Sequence, residues 1–167
     1  MEKNKPGFSA LVQEAILPKE SLLEVKRGST QLHIGIPKET SYEENRVPLV
    51  PDAVSLLVNN GHNIVVESGA GKAANFHDHD YSEAGAQIVY SPEDVYKADI
   101  VLKIAPPLAH ELELLKQKQT LISILQIATQ SPEFIKKLSS KKITAMAFEY
   151  LQDKTGAYPI VQAMSEI

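Results

Sequence analysis

One arginine follows the first apolar segment of the chain at a position where it could bind a carboxylate. Arg46 lies in the loop after the apolar run 32–36 and just before a segment that prolines delimit as a helix. A guanidinium group donates two parallel hydrogen bonds to a carboxylate, and the carboxyl end of a strand in an α/β sheet is a common ligand site. The local sequence by itself favours the alternative, a surface ion pair with Glu43, Glu44 or Asp52.

Two further polar residues lie at the ends of predicted strands. Lys103 lies near the end of the predicted strand 100–104, and Gln126 follows the predicted strand 120–125. We expect both side chains to bind a small carboxylate ligand at this edge of the sheet. An amide can hydrogen-bond such a ligand, but it cannot shuttle a proton. The alternatives are a lysine that reaches solvent from the strand end and an amide that satisfies backbone groups.

Two other motifs resemble ligand sites but fail on spacing. The turn 68–72 contains Gly69 and Gly71, yet it lacks the third glycine of a dinucleotide loop and the spacer of a P-loop. We interpret it as a tight turn in which the backbone closely approaches its neighbours. His77 and His79 are two residues apart and have no third group of ligands, so we predict no metal site there. We interpret the two histidines as part of an exposed polar loop that caps a helix starting near Asp80.

Composition excludes several classes of protein. The 167 residues are 43% hydrophobic and 23% charged, as in ordinary globular domains, and they contain no cysteine. The formal net charge of −4 argues against a nucleic-acid-binding surface. No apolar run is long enough to span a bilayer, and no signal-peptide core follows the polar N-terminus. We expect a cytoplasmic protein.

Short apolar runs alternate with helix signals from residue 32 onward. The predicted strands are 32–36, 63–67, 87–90, 100–104, 120–125 and 143–148. The helix signals between them predict a C-terminal cap at Gly61 and serine–proline starts at Ser91 and Ser131. This alternation predicts an α/β fold with a Rossmann-like, doubly wound, mainly parallel sheet. Residues 1–31 differ from the rest and are predicted to be an N-terminal arm and linker.

A series of motifs along the chain is similar to those of one protein family. They are, in order, Ile34-Gly35-Ile36-Pro37-Lys38-Glu39, Asn45-Arg46-Val47, Gly61-His62, Val66-Glu67-Ser68-Gly69-Ala70-Gly71, Ala84-Gly85-Ala86, Val101-Leu102-Lys103 and Met164-Ser165-Glu166. Residues 32–167 resemble the N-terminal domain of the alanine dehydrogenase and proton-translocating transhydrogenase family. The resemblance implies a nicotinamide-dependent oxidoreductase that forms a homo-oligomer. NAD, with NADP as the alternative, would be bound mainly by a second domain that we expect to follow residue 167.

The resemblance also implies roles for individual residues. In the alanine dehydrogenase branch, an arginine matching Arg46 holds the substrate carboxylate, and residues matching Met164 and Ser165 face the cofactor. The branch uses a histidine and a second lysine for its amino-acid chemistry. Gln126 and Ala105 occupy those two positions here, so the catalytic residues stay unknown.

Three functions remain open on this evidence. The resemblance favours the substrate-side domain of an alanine dehydrogenase-like enzyme with an altered catalytic pair, inactive as this chain alone. The altered pair equally suits the nucleotide-binding component of a transhydrogenase, because direct hydride transfer between nicotinamides needs no imine chemistry. The third alternative is a non-catalytic subunit that binds a carboxylate or serves assembly.

Overall fold

The computed structural model describes residues 31–165, which contain one six-stranded parallel sheet in the order β3-β2-β1-β4-β5-β6. The strands are β1 (His33–Ile36), β2 (Asn63–Glu67), β3 (Gln87–Val89), β4 (Ile100–Leu102), β5 (Thr120–Ser123) and β6 (Thr144–Ala147). The helices are α1 (Pro51–Asn59), α2 (Asp78–Glu83), α3 (Pro92–Val95), α4 (Ala109–Leu114), α5 (Pro132–Ser140) and α6 (Pro159–Ser165). Short 3₁₀ turns cover Lys72–Ala74, Ile127–Thr129 and Phe148–Tyr150. The predicted fold class is confirmed, whereas the predicted arm lies outside the described residues except for its last residue.

Local signals explain where several helices begin and end. Proline occupies the first turn of α1, α3 and α5, where its missing N–H costs nothing. The Ser131 hydroxyl accepts a hydrogen bond of 3.2 Å from the backbone N–H of Phe134, so it caps α5 as predicted. After α1, the backbone N–H of Gly61 donates to the carbonyl of Val58 at 2.8 Å, which confirms the predicted C-terminal cap.

Two apolar cores lie on opposite faces of the sheet. Ile34 of β1 pairs in register with Ile64 and Ile100, whereas its neighbour Gly35 pairs with Val101. Because side chains alternate between faces along a strand, Ile34 and Val101 must point to opposite sides. One core therefore gathers Ile34 with residues of α1 and α2, and the other gathers Val101 with residues of α4 and α5.

A glycine is required in the middle of β1. A Cβ atom added to Gly35 would lie 2.5 Å from the backbone carbonyl oxygen of Val95, at the end of α3. That oxygen belongs to the backbone and cannot rotate away, so any side chain would push α3 off the sheet. Gly35 therefore lets the end of α3 approach β1 closely.

The sheet changes winding direction between β1 and β4. Strands β2 and β3 continue to one side of β1, whereas β5 and β6 continue to the other side of β4. In doubly wound sheets, ligands bind in the crevice that opens at such a switch point. The segments after β1 and β4, residues 37–40 and 103–107, form the walls of this crevice.

No helix within the described part of the chain is long and apolar enough to cross a membrane.

Candidate carboxylate site

Arg46 forms a bidentate ion pair with Glu44. Its Nε donates to Oε1 of Glu44 at 2.8 Å and its Nη2 donates to Oε2 at 2.7 Å, while the Arg46 backbone N–H also donates to Oε1 at 3.0 Å. The Arg46 side chain is 47% exposed, whereas that of Glu44 is only 11% exposed. The hydrogen bonds from Arg46 hold the pKa of Glu44 below its usual value, so Glu44 remains a carboxylate. The ion pair considered from the sequence therefore exists.

This ion pair leaves one edge of the guanidinium available. Glu44 occupies Nε and Nη2, and Nη1 has no hydrogen-bond partner among residues 31–165. A guanidinium carries five N–H donors in a fixed plane, so it can bind a second carboxylate through its other edge. Glu44 orients Arg46 without preventing it from binding a ligand.

Arg46 lies where two cavities meet. A cavity of about 380 Å³ on one side contains charged and polar groups, among them Lys38, Glu39 and Lys72. A cavity of about 580 Å³ on the other side is lined, apart from Arg46, by apolar and backbone groups of the 47–49 loop, β4, β5 and α6. A ligand with a carboxylate and an apolar part would find both kinds of surface here.

Lys103 is buried between two carboxylates. Its side chain is 0% exposed, so the alternative of a lysine that reaches solvent is wrong. Its Nζ lies 3.1 Å from Oε2 of Glu39 and 2.9 Å from Oε1 of Glu111, and both of these side chains are 4% exposed. Lys103 is not among the residues that line either cavity. We call Glu39, Lys103 and Glu111 the buried triad.

The buried triad joins the two walls of the switch-point crevice. Oε1 of Glu39 accepts a hydrogen bond of 2.6 Å from the backbone N–H of Ile104. The Thr40 hydroxyl donates to Oε1 of Glu111 at 3.2 Å, and the Leu108 backbone N–H donates to Oε2 of Glu111 at 2.7 Å. The segment after β1 is therefore tied directly to the segments after β4 and before α4.

The segment after β1 differs from the one with which an ordinary Rossmann fold holds a pyrophosphate. That binding mode needs a glycine-rich turn after β1, so that backbone N–H groups reach the phosphates. Here β1 is followed by Pro37-Lys38-Glu39, and the Glu39 carboxylate accepts the nearby backbone N–H groups. The segment after β1 therefore offers no glycine-rich turn to a dinucleotide.

The glycine turn after β2 is also occupied by the protein itself. The Asp78 carboxylate accepts hydrogen bonds from the Gly69 backbone N–H at 2.7 Å and the Ser68 hydroxyl at 2.6 Å. These hydrogen bonds, the first above all, hold the pKa of Asp78 below its usual value. A Cβ on Gly71 would lie 2.7 Å from the ring of Tyr81, as expected for a tight turn with close backbone approach.

The two histidines near this turn belong to the start of α2. His77 precedes the helix, and its backbone N–H donates to Asp80 at 2.7 Å. Nε2 of His79 lies 3.2 Å from Oε1 of Glu83 one turn later. Within residues 31–165, no group of three or more potential ligands is arranged to hold a metal ion.

Gln126 lies apart from Arg46. It is exposed, lines neither cavity and has a left-handed backbone with φ of 47°. Oε1 of Glu149 accepts the backbone N–H groups of Leu125 and Gln126, both at 2.9 Å, and so holds this unusual turn. The side chain that satisfies a backbone group here belongs to Gln130, which donates to the Leu125 carbonyl at 2.9 Å.

The family resemblance pointed to three further positions, Met164, Ala105 and Ser165. Met164 lines the apolar cavity together with Arg46, so the structure brings these two predicted site residues together. Ala105 is buried directly after Ile104. Ser165 is the last residue of α6, and the predicted cofactor contact of its side chain lies outside what the structure describes.

Sequence reasoning missed Glu39 and Glu111 as partners of Lys103. Glu39 was visible in the Pro-Lys-Glu motif after β1, and Glu111 is an acidic residue in the first turn of α4. Neither spacing shows that the two carboxylates converge, because they are brought together only when β1 pairs with β4.

The fold and the site define a Rossmann-like domain with an arginine at the carboxyl edge of its sheet and with Pro37-Lys38-Glu39 in place of a glycine-rich turn after β1. Residues 35–167 match the family model described as "Alanine dehydrogenase/PNT, N-terminal domain". The chain belongs to this family, as the sequence motifs predicted.

Curated relatives and solved structures agree with this assignment. Alanine dehydrogenases of Bacillus subtilis and Methanococcus maripaludis are each 38% identical to the chain over 80% of its length. A solved L-alanine dehydrogenase superposes with a TM-score of 0.76 at 37% identity, covering 79% of this chain and 36% of that one. A transhydrogenase structure from Sinorhizobium meliloti superposes with a TM-score of 0.67 at 30% identity, covering 73% and 36%. The chain spans about a third of the length of the relatives it matches, 35% and 36% for the two dehydrogenases.

Proposed function

We propose that this chain is the substrate-side domain of an NAD-dependent oxidoreductase of the alanine dehydrogenase type. The single observation that carries the proposal is the open edge of Arg46, held by Glu44 at the junction of the polar and apolar cavities. A substrate with a carboxylate next to its reacting carbon, such as alanine or pyruvate, would bind there. The relatives named alanine dehydrogenase support this substrate class.

The nicotinamide cofactor would meet this domain from the side of the apolar cavity. Met164 offers an apolar surface suited to one face of a nicotinamide ring, next to Arg46. A bound NAD would supply the hydride acceptor for the substrate carbon. The chain's own part is to orient the substrate through Arg46 and to exclude water with the surrounding apolar side chains. A second domain, a cytoplasmic location and a homo-oligomeric assembly belong to the same proposal.

Arg46→Ala tests the carboxylate site directly. Losing a hydrogen-bonded charge pair of about 2–3 kcal/mol should weaken pyruvate binding about 30-fold to 150-fold. Binding is measured by calorimetry on the purified chain, with Lys97→Ala as a control that removes a cation distant from both cavities. Equal pyruvate affinity in wild type and Arg46→Ala would reject the assignment.

A transhydrogenase component is the second candidate function. The observation that favours it is chemical: Ala105 and Gln126 cannot exchange protons, and direct hydride transfer between nicotinamides does not require such groups. The structural likeness to a transhydrogenase supports it as well. A carboxylate-binding subunit without catalysis is the third candidate, and the same two replacements favour it.

Assays on the complete two-domain protein separate these candidates. Alanine-dependent reduction of NAD supports the dehydrogenase, and hydride exchange between NADH and an NADP analogue without alanine supports the transhydrogenase. Carboxylate binding with neither activity supports the third candidate. The isolated chain should form no NADH from alanine, and detectable formation would contradict its proposed role as one of two domains.

A further inference from the structure

The buried triad places one ammonium between two carboxylates. Glu39 and Glu111 are each 4% exposed and flank Lys103, which is 0% exposed. If all three side chains were ionised, this cluster would carry one uncompensated negative charge away from water. Burying such a charge is costly, and a buried carboxyl group commonly avoids that cost by binding a proton.

The hydrogen bonds indicate which of the two carboxyl groups receives that proton. Both oxygens of Glu111 accept hydrogen bonds, Oε1 from Lys103 and Thr40 and Oε2 from the Leu108 backbone. In Glu39, Oε1 accepts the Ile104 backbone N–H, and the buried Oε2 lies 3.1 Å from Nζ of Lys103. Glu39 also lines the polar cavity, and neither Glu111 nor Lys103 does. Of the two carboxyl groups, Glu39 therefore has fewer hydrogen-bond donors and reaches a cavity, so the proton is assigned to Glu39.

Glu39 is also close enough to Arg46 to sense its charge. The two residues line the same cavity, and the negative charge of Glu39 contributes to raising the pKa of Arg46. By reciprocity, the positive charge of Arg46 favours the ionised form of Glu39. A ligand carboxylate bound to Arg46 cancels part of that positive charge and brings a negative one, which favours the protonated form.

We infer that Glu39 takes up a proton when a carboxylate ligand binds Arg46, so that the ligand anion and a proton enter the site together. The inference rests on the proposed function for its ligand class. It gives the site an acid that can exchange protons, which the side chains of Ala105 and Gln126 cannot supply.

The electrostatic surroundings agree with this assignment. Burial raises the pKa of Glu39 above its usual value of 4.5, even though the charge of Lys103 acts in the opposite direction. Burial also raises the pKa of Tyr96, so its hydroxyl stays neutral and offers no competing negative charge. The charged and titratable groups that surround Glu39 are Lys38, Glu44, Arg46, Glu67, Lys72, Tyr96, Lys103 and Glu111.

Calorimetry of pyruvate binding tests the proton uptake. The purified chain is titrated with pyruvate from about pH 5 to about pH 8, each time in two buffers with different enthalpies of ionisation, which yields the number of protons taken up. Wild type should take up as much as one proton per pyruvate within a window above pH 4.5. Glu39→Gln mimics the protonated form, so it should still bind pyruvate and lose that uptake. Glu43→Gln, the same change at an exposed position in the same loop, should retain it.

A second measurement tests the coupling between Glu39 and Arg46 even if pyruvate does not bind. The side-chain carboxyl carbon of Glu39 is followed by NMR as a function of pH in the unliganded wild type and in Arg46→Ala. Removing the positive charge should shift the Glu39 midpoint upward. An unshifted midpoint, or equal proton uptake in wild type and Glu39→Gln, would overturn the inference, whereas absent pyruvate binding with a shifted midpoint would overturn only the proposed ligand.

Discussion

Replacing Lys103 by methionine should strongly destabilise the domain at neutral pH. The change keeps most of the side-chain volume but removes the cation that lies 3.1 Å from Glu39 and 2.9 Å from Glu111. Breaking a buried ion pair by removing one partner costs about 3–5 kcal/mol, because the other charge is left buried and uncompensated. Domains of this size have a free energy of unfolding of about 5–15 kcal/mol, so the variant should remain folded but lose a large part of its stability.

The destabilisation should depend on pH with a definite sign. An acid whose pKa is higher in the folded state contributes most stability below its unfolded pKa, and this contribution is lost as the pH rises through the folded pKa. Glu39 already has a raised pKa in the presence of Lys103, and removing the cation should raise it further. The difference between variant and wild type should therefore be small near pH 4.5, the usual value for Glu39, and should grow toward neutral pH.

Urea denaturation followed by circular dichroism at several pH values provides the measurement. Lys97→Met is the matched control, because it removes an exposed lysine from a surface ion pair and should leave the stability nearly unchanged. Adding Glu39→Gln and Glu111→Gln to Lys103→Met should restore much of the lost stability by removing the unpaired charges. A loss below about 1 kcal/mol at pH 7, or an equal loss at all pH values, would refute the reasoning.

Three further predictions concern positions where the backbone conformation or its hydrogen bonds constrain the side chain. Gly35→Ala should lower the free energy of unfolding by about 1–3 kcal/mol, since its Cβ would lie 2.5 Å from the Val95 carbonyl oxygen; unchanged urea denaturation would contradict this close approach. Asp78→Asn should lower the free energy of unfolding by about 1 kcal/mol at neutral pH, because the Gly69 backbone N–H loses its charged acceptor. The difference between variant and wild type should vanish as the pH falls through the lowered pKa of Asp78, since wild type then loses the same charge. Thermal melts across the acid range measure both effects. Gln126→Gly should stabilise the fold by about 0.5–1 kcal/mol by relieving the φ of 47°, and destabilisation in the same melts would show that the Gln126 side chain has an unrecognised structural role.

Much of the fold could be predicted because its signals are local. Each predicted strand corresponds to an observed one, since short Ile- and Val-rich runs suit strands that are buried on both faces. The predicted ends were less accurate: β4 ends at Leu102 rather than at residue 104. The backbone of Lys103 still donates to the Ile122 carbonyl at 3.0 Å, so pairing with β5 continues after the regular strand ends.

The grouping of residues in the candidate site was predicted only in part. The sequence identified Arg46, and the structure brings it together with Met164 at one cavity, but it leaves Gln126 outside. The chain after β5 turns away from the two cavities because Gln126 adopts a left-handed backbone conformation, which a hydrogen bond to Glu149 stabilises. A glutamine has no strong preference for the left-handed conformation, so no local sequence pattern predicted this turn.

The sequence by itself determined the strands, their alternation with helices, the family, and an arginine at the end of the first strand. The pairing of Arg46 with Glu44, two residues away, is also local. Tertiary structure decided the surroundings of Lys103, which pairs with two carboxylates from separate segments. The physical reason is that charge pairing and burial depend on which strands become neighbours, and the neighbours β1 and β4 are separated by more than sixty residues of chain.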